Sequence, residues 1–153
     1  MAGTDKSVDL YKLLNPKGKG AGVVNGIKIV RAVTAEPDAA TFIFEGTKLA
    51  LGSEIFEIPY NMYPIKKDDR FLTYPIINNG AASRWTLIQK INGCTVNLAT
   101  MQGPTSLIID GIAKTYTTDD LVVSSGLTAG KRVSVAPIYD SGSIKYAVIH
   151  VYE

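Results

Sequence analysis

The sequence is poor in the residues that build metal and nucleophilic centres. It holds one histidine, His150, and one cysteine, Cys94. A single thiol closes no internal disulfide, and one His with one Cys cannot supply the four ligands of a structural zinc site. A Cys-His nucleophilic pair would require Cys94 beside His150. The histidine stands in Val148-Ile149-His150-Val151-Tyr152, an alternating run that reads as a strand, so both residues read as structural. Long apolar runs are missing too: none approaches the ~18 residues of a membrane span. The start, Met1 to Asp9 with Asp5 and Asp9, lacks the basic-then-apolar order of a secretion signal. A soluble protein made in the cytoplasm, without a membrane partner, is the expectation.

Phosphate-binding and hydrolase motifs are also absent. Gly18, Gly20 and Gly22 are not followed by a helix whose N-terminus would hold phosphate, and no serine lies in a nucleophile elbow. The adjacent acids Asp68-Asp69 and Asp119-Asp120 would point to opposite faces of an extended chain, so they read as turn or strand-start residues. No enzymatic activity, cofactor or metal is expected.

What the chain does have is enough apolar material for a core. At 46% hydrophobic and 20% charged, with a formal net charge of +2, it is neither disordered nor fibrous. Its main organising feature is an internal repeat. Asn25-Gly26 matches Asn92-Gly93, and Thr41-Phe42-Ile43-Phe44-Glu45-Gly46 matches Ser106-Leu107-Ile108-Ile109-Asp110-Gly111. Arg70-Phe71-Leu72-Thr73-Tyr74-Pro75-Ile76 then matches Arg132-Val133-Ser134-Val135-Ala136-Pro137-Ile138, with Arg, Pro and Ile identical in place. The turns Asn78-Asn79-Gly80 and Asp140-Ser141-Gly142 follow, and each copy closes on an aromatic-led strand, Trp85-Thr86-Leu87-Ile88 or Tyr146-Ala147-Val148-Ile149. The chain thus divides into an arm (1–24), a first copy (25–91) and a second copy (92–153).

Each copy reads as five short strands, rich in β-branched and aromatic residues and bounded by Gly, Pro, Asn and Asp. In the first copy they fall near Gly26 to Val33, Ala40 to Glu45, Glu54 to Ile58, Arg70 to Ile76 and Arg84 to Ile91. The second repeats them near Cys94 to Ala99, Ser106 to Asp110, Asp120 to Ser124, Arg132 to Ile138 and Lys145 to Tyr152. No room is left for a crossover helix of about a dozen residues, so the fold class is all-β: two tandem five-stranded small barrels, OB-like or SH3-like. The turn Ile91-Asn92-Gly93 contains no flexible linker, and barrels this small gain stability by packing on each other.

In the arm, Asp5 is placed to cap a short helix ending at Asn15-Pro16, with Val8, Leu10, Tyr11, Leu13 and Leu14 as apolar contacts. Such an arm either caps a barrel mouth or docks on a neighbouring subunit. The loop Pro59-Tyr60-Asn61-Met62-Tyr63-Pro64 carries aromatic and Met side chains of the kind enriched at interfaces; its alternative role is a lid over the open end of the barrel. Partner-binding candidates are therefore Leu10, Tyr11, Leu13, Leu14, Tyr60, Met62 and Tyr63.

A single-stranded nucleic-acid-binding module is the competing reading, because OB barrels hold single strands with stacked aromatics and basic grooves. Lys6, Lys12, Lys17, Lys19, Lys28 and Arg31 crowd the start of the chain against Asp5 and Asp9, a net +4 over residues 1–31 that leaves residues 32–153, most of the two barrels, at −2. They offer no basic stripe, and Phe42, Phe44, Tyr74 and Trp85 sit in apolar runs that read as core.

The segment Ile65-Lys66-Lys67-Asp68-Asp69-Arg70-Phe71-Leu72, followed after a turn by Trp85-Thr86-Leu87-Ile88-Gln89-Lys90-Ile91, resembles a small OB-like baseplate family. That family belongs to contractile phage tails and tail-like bacteriocins of Gram-positive bacteria. It tends to show Leu-Lys-x-Gly-Asp before a strand. Asp68 occupies the glycine position here, and in the second copy Gly130 is kept while Lys131 replaces the acid. The resemblance implies a structural hub or spike-junction component without catalytic residues. Its partners would be other tail or baseplate proteins within a symmetric homo-oligomer, in a particle assembled in the bacterial cytoplasm.

Overall fold

A computed structural model describes residues 26–34 and 39–152. The arm, with Leu10, Tyr11, Leu13 and Leu14, lies outside the described residues. The first copy forms β1 (Lys28–Thr34), β2 (Thr41–Phe44), β3 (Ala50–Gly52), β4 (Phe56–Glu57), β5 (Arg70–Asn78) and β6 (Ala81–Lys90). The second forms β7 (Asn97–Gly103), β8 (Ser106–Ile109), β9 (Thr115–Tyr116), β10 (Leu121–Val122), β11 (Arg132–Asp140) and β12 (Ser143–Tyr152). The sheet orders, β3-β2-β1-β5-β6-β4 and β10-β12-β11-β7-β8-β9, are the same path written from opposite ends.

Each copy has six segments where five strands were expected, because the third strand breaks. A 3₁₀ turn, Ser53–Ile55 or Thr118–Asp120, splits it into β3 and β4 or into β9 and β10. Its first half pairs antiparallel with the second strand, and its second half pairs parallel with the last, Phe56 opposite Trp85 and Leu121 opposite Tyr146. This parallel joint curls each sheet into a small barrel and favours the OB-like path over the SH3-like one.

The register corrects two details of the sequence reading. Lys28 faces Thr73 as Asn97 faces Val135, so Lys28 corresponds to Asn97 and not to Thr95, as the shared Asn-Gly would have it. Asn-Gly reports only a local turn, whereas register follows the buried face. Accordingly β7 starts at Asn97, and Cys94 lies exposed in the turn before it.

Alternation sends Val30, Phe42, Phe44, Phe71, Trp85 and Leu87 into the first barrel, and Ala99, Leu107, Ile109, Val133, Val135 and Tyr146 into the second. Burying each large side chain contributes about 1.5–3 kcal/mol. Phe44 meets Trp85 edge-on at 4.8 Å, and Tyr116 meets Tyr146 at 4.9 Å. Tyr74 is the exception among the expected core aromatics. It alternates outward between Thr73 and Pro75 and is 54% exposed.

The repeated acid-glycine pair and the repeated arginine belong to one interaction. Arg70 Nε donates to Glu45 Oε1 at 2.6 Å, and Arg132 clamps Asp110 through two bonds of 2.8 and 2.6 Å. Gly46 and Gly111 follow the acids at φ 86° and 82°, a left-handed turn that suits glycine. Hydrogen bonding from Arg132 holds the Asp110 carboxyl below its ordinary pKa against a smaller opposing effect of burial. The pair's stabilising contribution is complete above the unfolded carboxyl's pKa and fades as pH falls through the lowered one. An NMR titration should place the Asp110 midpoint below the ordinary carboxylate range, and Arg132→Ala should return it there. An unmoved midpoint in the variant would remove the clamp as the cause.

Candidate interaction surfaces

The loop from Ile58 to Pro64 marks where the copies part ways. Downstream of it the copies match closely: Asp68 N donates to Ala32 O at 2.9 Å, as Gly130 N donates to Met101 O at 2.8 Å, both with positive φ. Counting back from these matched turns equates Ile65 with Leu127, each buried. Between the short strand and this buried residue the first copy inserts Ile58 to Pro64, and the second only Val123 to Gly126. The added length forms a 3₁₀ turn, Tyr60–Met62. Met62 drops into the first core, and Tyr63 packs against both cores. Tyr60 stays half-exposed, its ring 6.4 Å from Tyr139 of β11. The loop is therefore a wedge between the barrels.

Beside the wedge, the Lys66 stem runs over Gly111, 3.5 Å from where a Cβ would stand. Burial lowers the Lys66 pKa, with Lys90 adding to the shift and Asp69 and Asp110 opposing it. Asp69 is no simple turn residue. Its carboxylate is buried, 2.8 Å from Lys90 Nζ, and also accepts the Lys66 backbone N–H at 2.7 Å. Asp120 caps its own 3₁₀ turn through a capping box with Thr117. His150 is exposed on β12, stacked edge-on against Tyr152 at 4.7 Å. Among the described residues no group of three His, Cys, Asp or Glu could hold a metal ion.

The second surface is one the sequence reading missed. On an antiparallel sheet with one buried face, outward positions are ordinarily polar. Here the outer face of β1, β5 and β6 carries Ile27 just ahead of β1, then Ile29, Leu72, Tyr74 and Ile88. On the second barrel the matching face carries Val96 just ahead of β7, Leu98 of β7 and Ile149 of β12, whereas the β11 counterparts of Leu72 and Tyr74 are Ser134 and Ala136. By register Ile27 corresponds to Val96, Ile29 to Leu98 and Ile88 to Ile149, the last pair lying at the same β-bulge in each barrel. Exposure reaches 62% at Ile27 and 54% at Ile149. Apolar outward positions at the same place in two diverged copies make this face the candidate contact surface. The available signal was Ala147-Val148-Ile149, three adjacent apolar residues that interrupt the alternation read in the closing strand.

No family model, curated protein or solved structure matches this chain.

Proposed function

We propose that the chain is a structural component of a phage or phage-tail-like contractile particle, an adaptor at the baseplate or hub that acts through protein–protein contacts. The observation that carries this reading is the apolar outer positions Ile27, Ile29 and Ile88 of the first barrel, repeated as Val96, Leu98 and Ile149 in the second. Such faces lower solubility unless a partner covers them, and the Tyr63 wedge between the barrels holds them at a set spacing. Symmetric self-association or a ring of neighbouring subunits suits two like faces on one chain. The resemblance of Ile65 to Leu72 and Trp85 to Ile91 supplies the particle class. Of the four aromatics in question, Phe42, Phe44 and Trp85 are in the core and Tyr74 alone presents a ring, on the apolar outer face, which weighs against the nucleic-acid reading.

The test places a charge on each face. Tyr74→Lys with Leu98→Lys should leave folding stability within about 0.5 kcal/mol, because both side chains are outside the cores. In cells that also express the genes flanking this one, the double variant should be missing from purified particles that contain the wild-type chain. Normal incorporation of the variant would sink the proposal.

A further inference from the structure

The two outer faces share their flanking aliphatic residues but differ at the centre, and the strand pairing shows how. Tyr74 faces Thr86, which faces Glu57 on its other side, and Ile27 lies beside Tyr74, one step beyond the Lys28–Thr73 pair. In the second barrel Ala136 faces Ala147, which faces Val122, and Val96 lies beside Ala136, one step beyond the Asn97–Val135 pair. Across the first face the row therefore runs Ile27, Tyr74, Thr86, Glu57; across the second it runs Val96, Ala136, Ala147, Val122. One row raises an exposed ring at its centre, and the other sets two methyl groups between two exposed valines. The first is a knob and the second a hollow. Two residues along β11 the hollow ends in a wall: the hydroxyls of Tyr152 and the buried Ser134 share a hydrogen bond of 2.7 Å, with His150 edge-on to the Tyr152 ring. Barrel closure does not call for this difference, because both rows point away from the cores.

The geometry points to a head-to-tail contact between copies of this chain, in which the first-barrel face of one copy seats its Tyr74 ring over Ala136 and Ala147 of another. This inference rests on the outer faces being contact surfaces, as proposed above, and adds that the chain is its own partner. Stacked sheets lie about 10 Å apart, and the layer between them fills best where a large residue on one meets small residues on the other. First face on first would set ring against ring, and second on second would leave the two hollows facing as a void. Only the unlike pairing fills the layer. Charge agrees with a neutral, apolar partner. Around the first face Arg31 is paired with Asp68, Arg70 with Glu45 and Arg84 with Glu57; around the second, Arg132 is paired with Asp110 and Lys145 with Asp140. These pairs are complete within one chain, so juxtaposing the two faces strands none of their charges against an apolar surface. Unlike faces make the contact heterologous. Every copy offers both a knob and a hollow, so association passes from copy to copy and closes a ring or extends a filament according to the rotation between neighbours.

Sedimentation velocity on the purified full-length chain tests the pairing. Wild type should grow beyond a dimer as its concentration is raised to about 1 mM, the weak end of specific contacts. Tyr74→Lys and Ala136→Lys should each stay monomeric. Mixed in equal amounts, these two variants should form a dimer and nothing larger, because one keeps its hollow and the other its knob. Tyr74→Ala should weaken association about thirtyfold, the loss expected for an aromatic anchor at the centre of a contact. Circular dichroism and Trp85 fluorescence check folding, and Ala147→Lys replaces Ala136→Lys in the mixture if the latter does not fold. Wild type that stays monomeric, either lysine variant associating alone, or a mixture that stays monomeric would each overturn the head-to-tail contact. A monomeric wild type, with Tyr74→Lys/Leu98→Lys still missing from particles, would overturn this contact alone and leave the faces to another protein; normal incorporation of that double variant would remove the adaptor reading as well.

Discussion

Replacing Lys90 with alanine should cost the first barrel about 3–5 kcal/mol, the range for breaking a buried ion pair by removing one partner. The Lys90 and Asp69 side chains are 6% and 10% exposed, and they meet at 2.8 Å. Lys90 Nζ also donates to the Pro64 carbonyl at 2.8 Å and lies 5.5 Å over the Phe71 ring. Truncation strands the Asp69 carboxylate away from water, opposite a lost cation, and leaves space where the lysine stem packed. The second barrel shows that this pair is not required for closure. Val151 and Lys131 stand at the matching places, so the cation of the strand and the acid of the turn are both gone. Asp69→Asn with Lys90→Met should therefore recover most of the loss, since an amide still accepts the Lys66 N–H and methionine refills the stem's volume. The single tryptophan, Trp85, is fully buried in the first barrel and reports its unfolding directly in urea. A drop below about 1 kcal/mol in Lys90→Ala would mean that water reaches Asp69 and that the pair behaves as a surface one.

The barrels were legible in the sequence because each carries its signals locally. Gly80 and Gly142 close tight hairpins with positive φ, and the strands they join hold Trp85 and Tyr146 at the same inward position. The broken third strand was placed late, at Glu54 to Ile58, because β3 is too short to show a period. Ala50–Gly52 is a strand by virtue of its pairing with β2, a long-range event no local pattern encodes. Of the candidate surface, Tyr60, Met62 and Tyr63 were visible as unusual loop residues, yet sequence could not sort them. Which of three neighbours enters the core, bridges the barrels or stays outside depends on where the second barrel sits. The outer faces escaped for a related reason. Ile88 and Ile149 sit at β-bulges, which break alternation and hide an outward residue inside an apparently buried run.

Tyr63→Ala should separate the unfolding of the two barrels. A unit of this size buries only about 60% of its unfolded surface and is marginal alone, so each barrel draws stability from the other. Among the described residues, Tyr63 is the hydrophobic side chain packed against both core clusters, with the Tyr60–Tyr139 ring contact beside it. Truncation should cost about 2–3 kcal/mol, less than the ~3–5 for a fully buried aromatic because Tyr63 is only half-buried. Calorimetry on the wild type is expected to show one transition, and on Tyr63→Ala two, with Trp85 emission following the first barrel alone. Tyr63→Phe, which keeps the ring, should stay near wild type. If Tyr63→Ala still melts in a single unshifted transition, some other contact joins the barrels. The functional consequence follows from the spacing of the outer faces. A partner that engages Ile29 and Tyr74 together with Leu98 and Ile149 gains from their being held at one distance, because the second contact is then made at high effective concentration. Releasing the barrels would lower that concentration and weaken assembly without altering any residue that touches the partner.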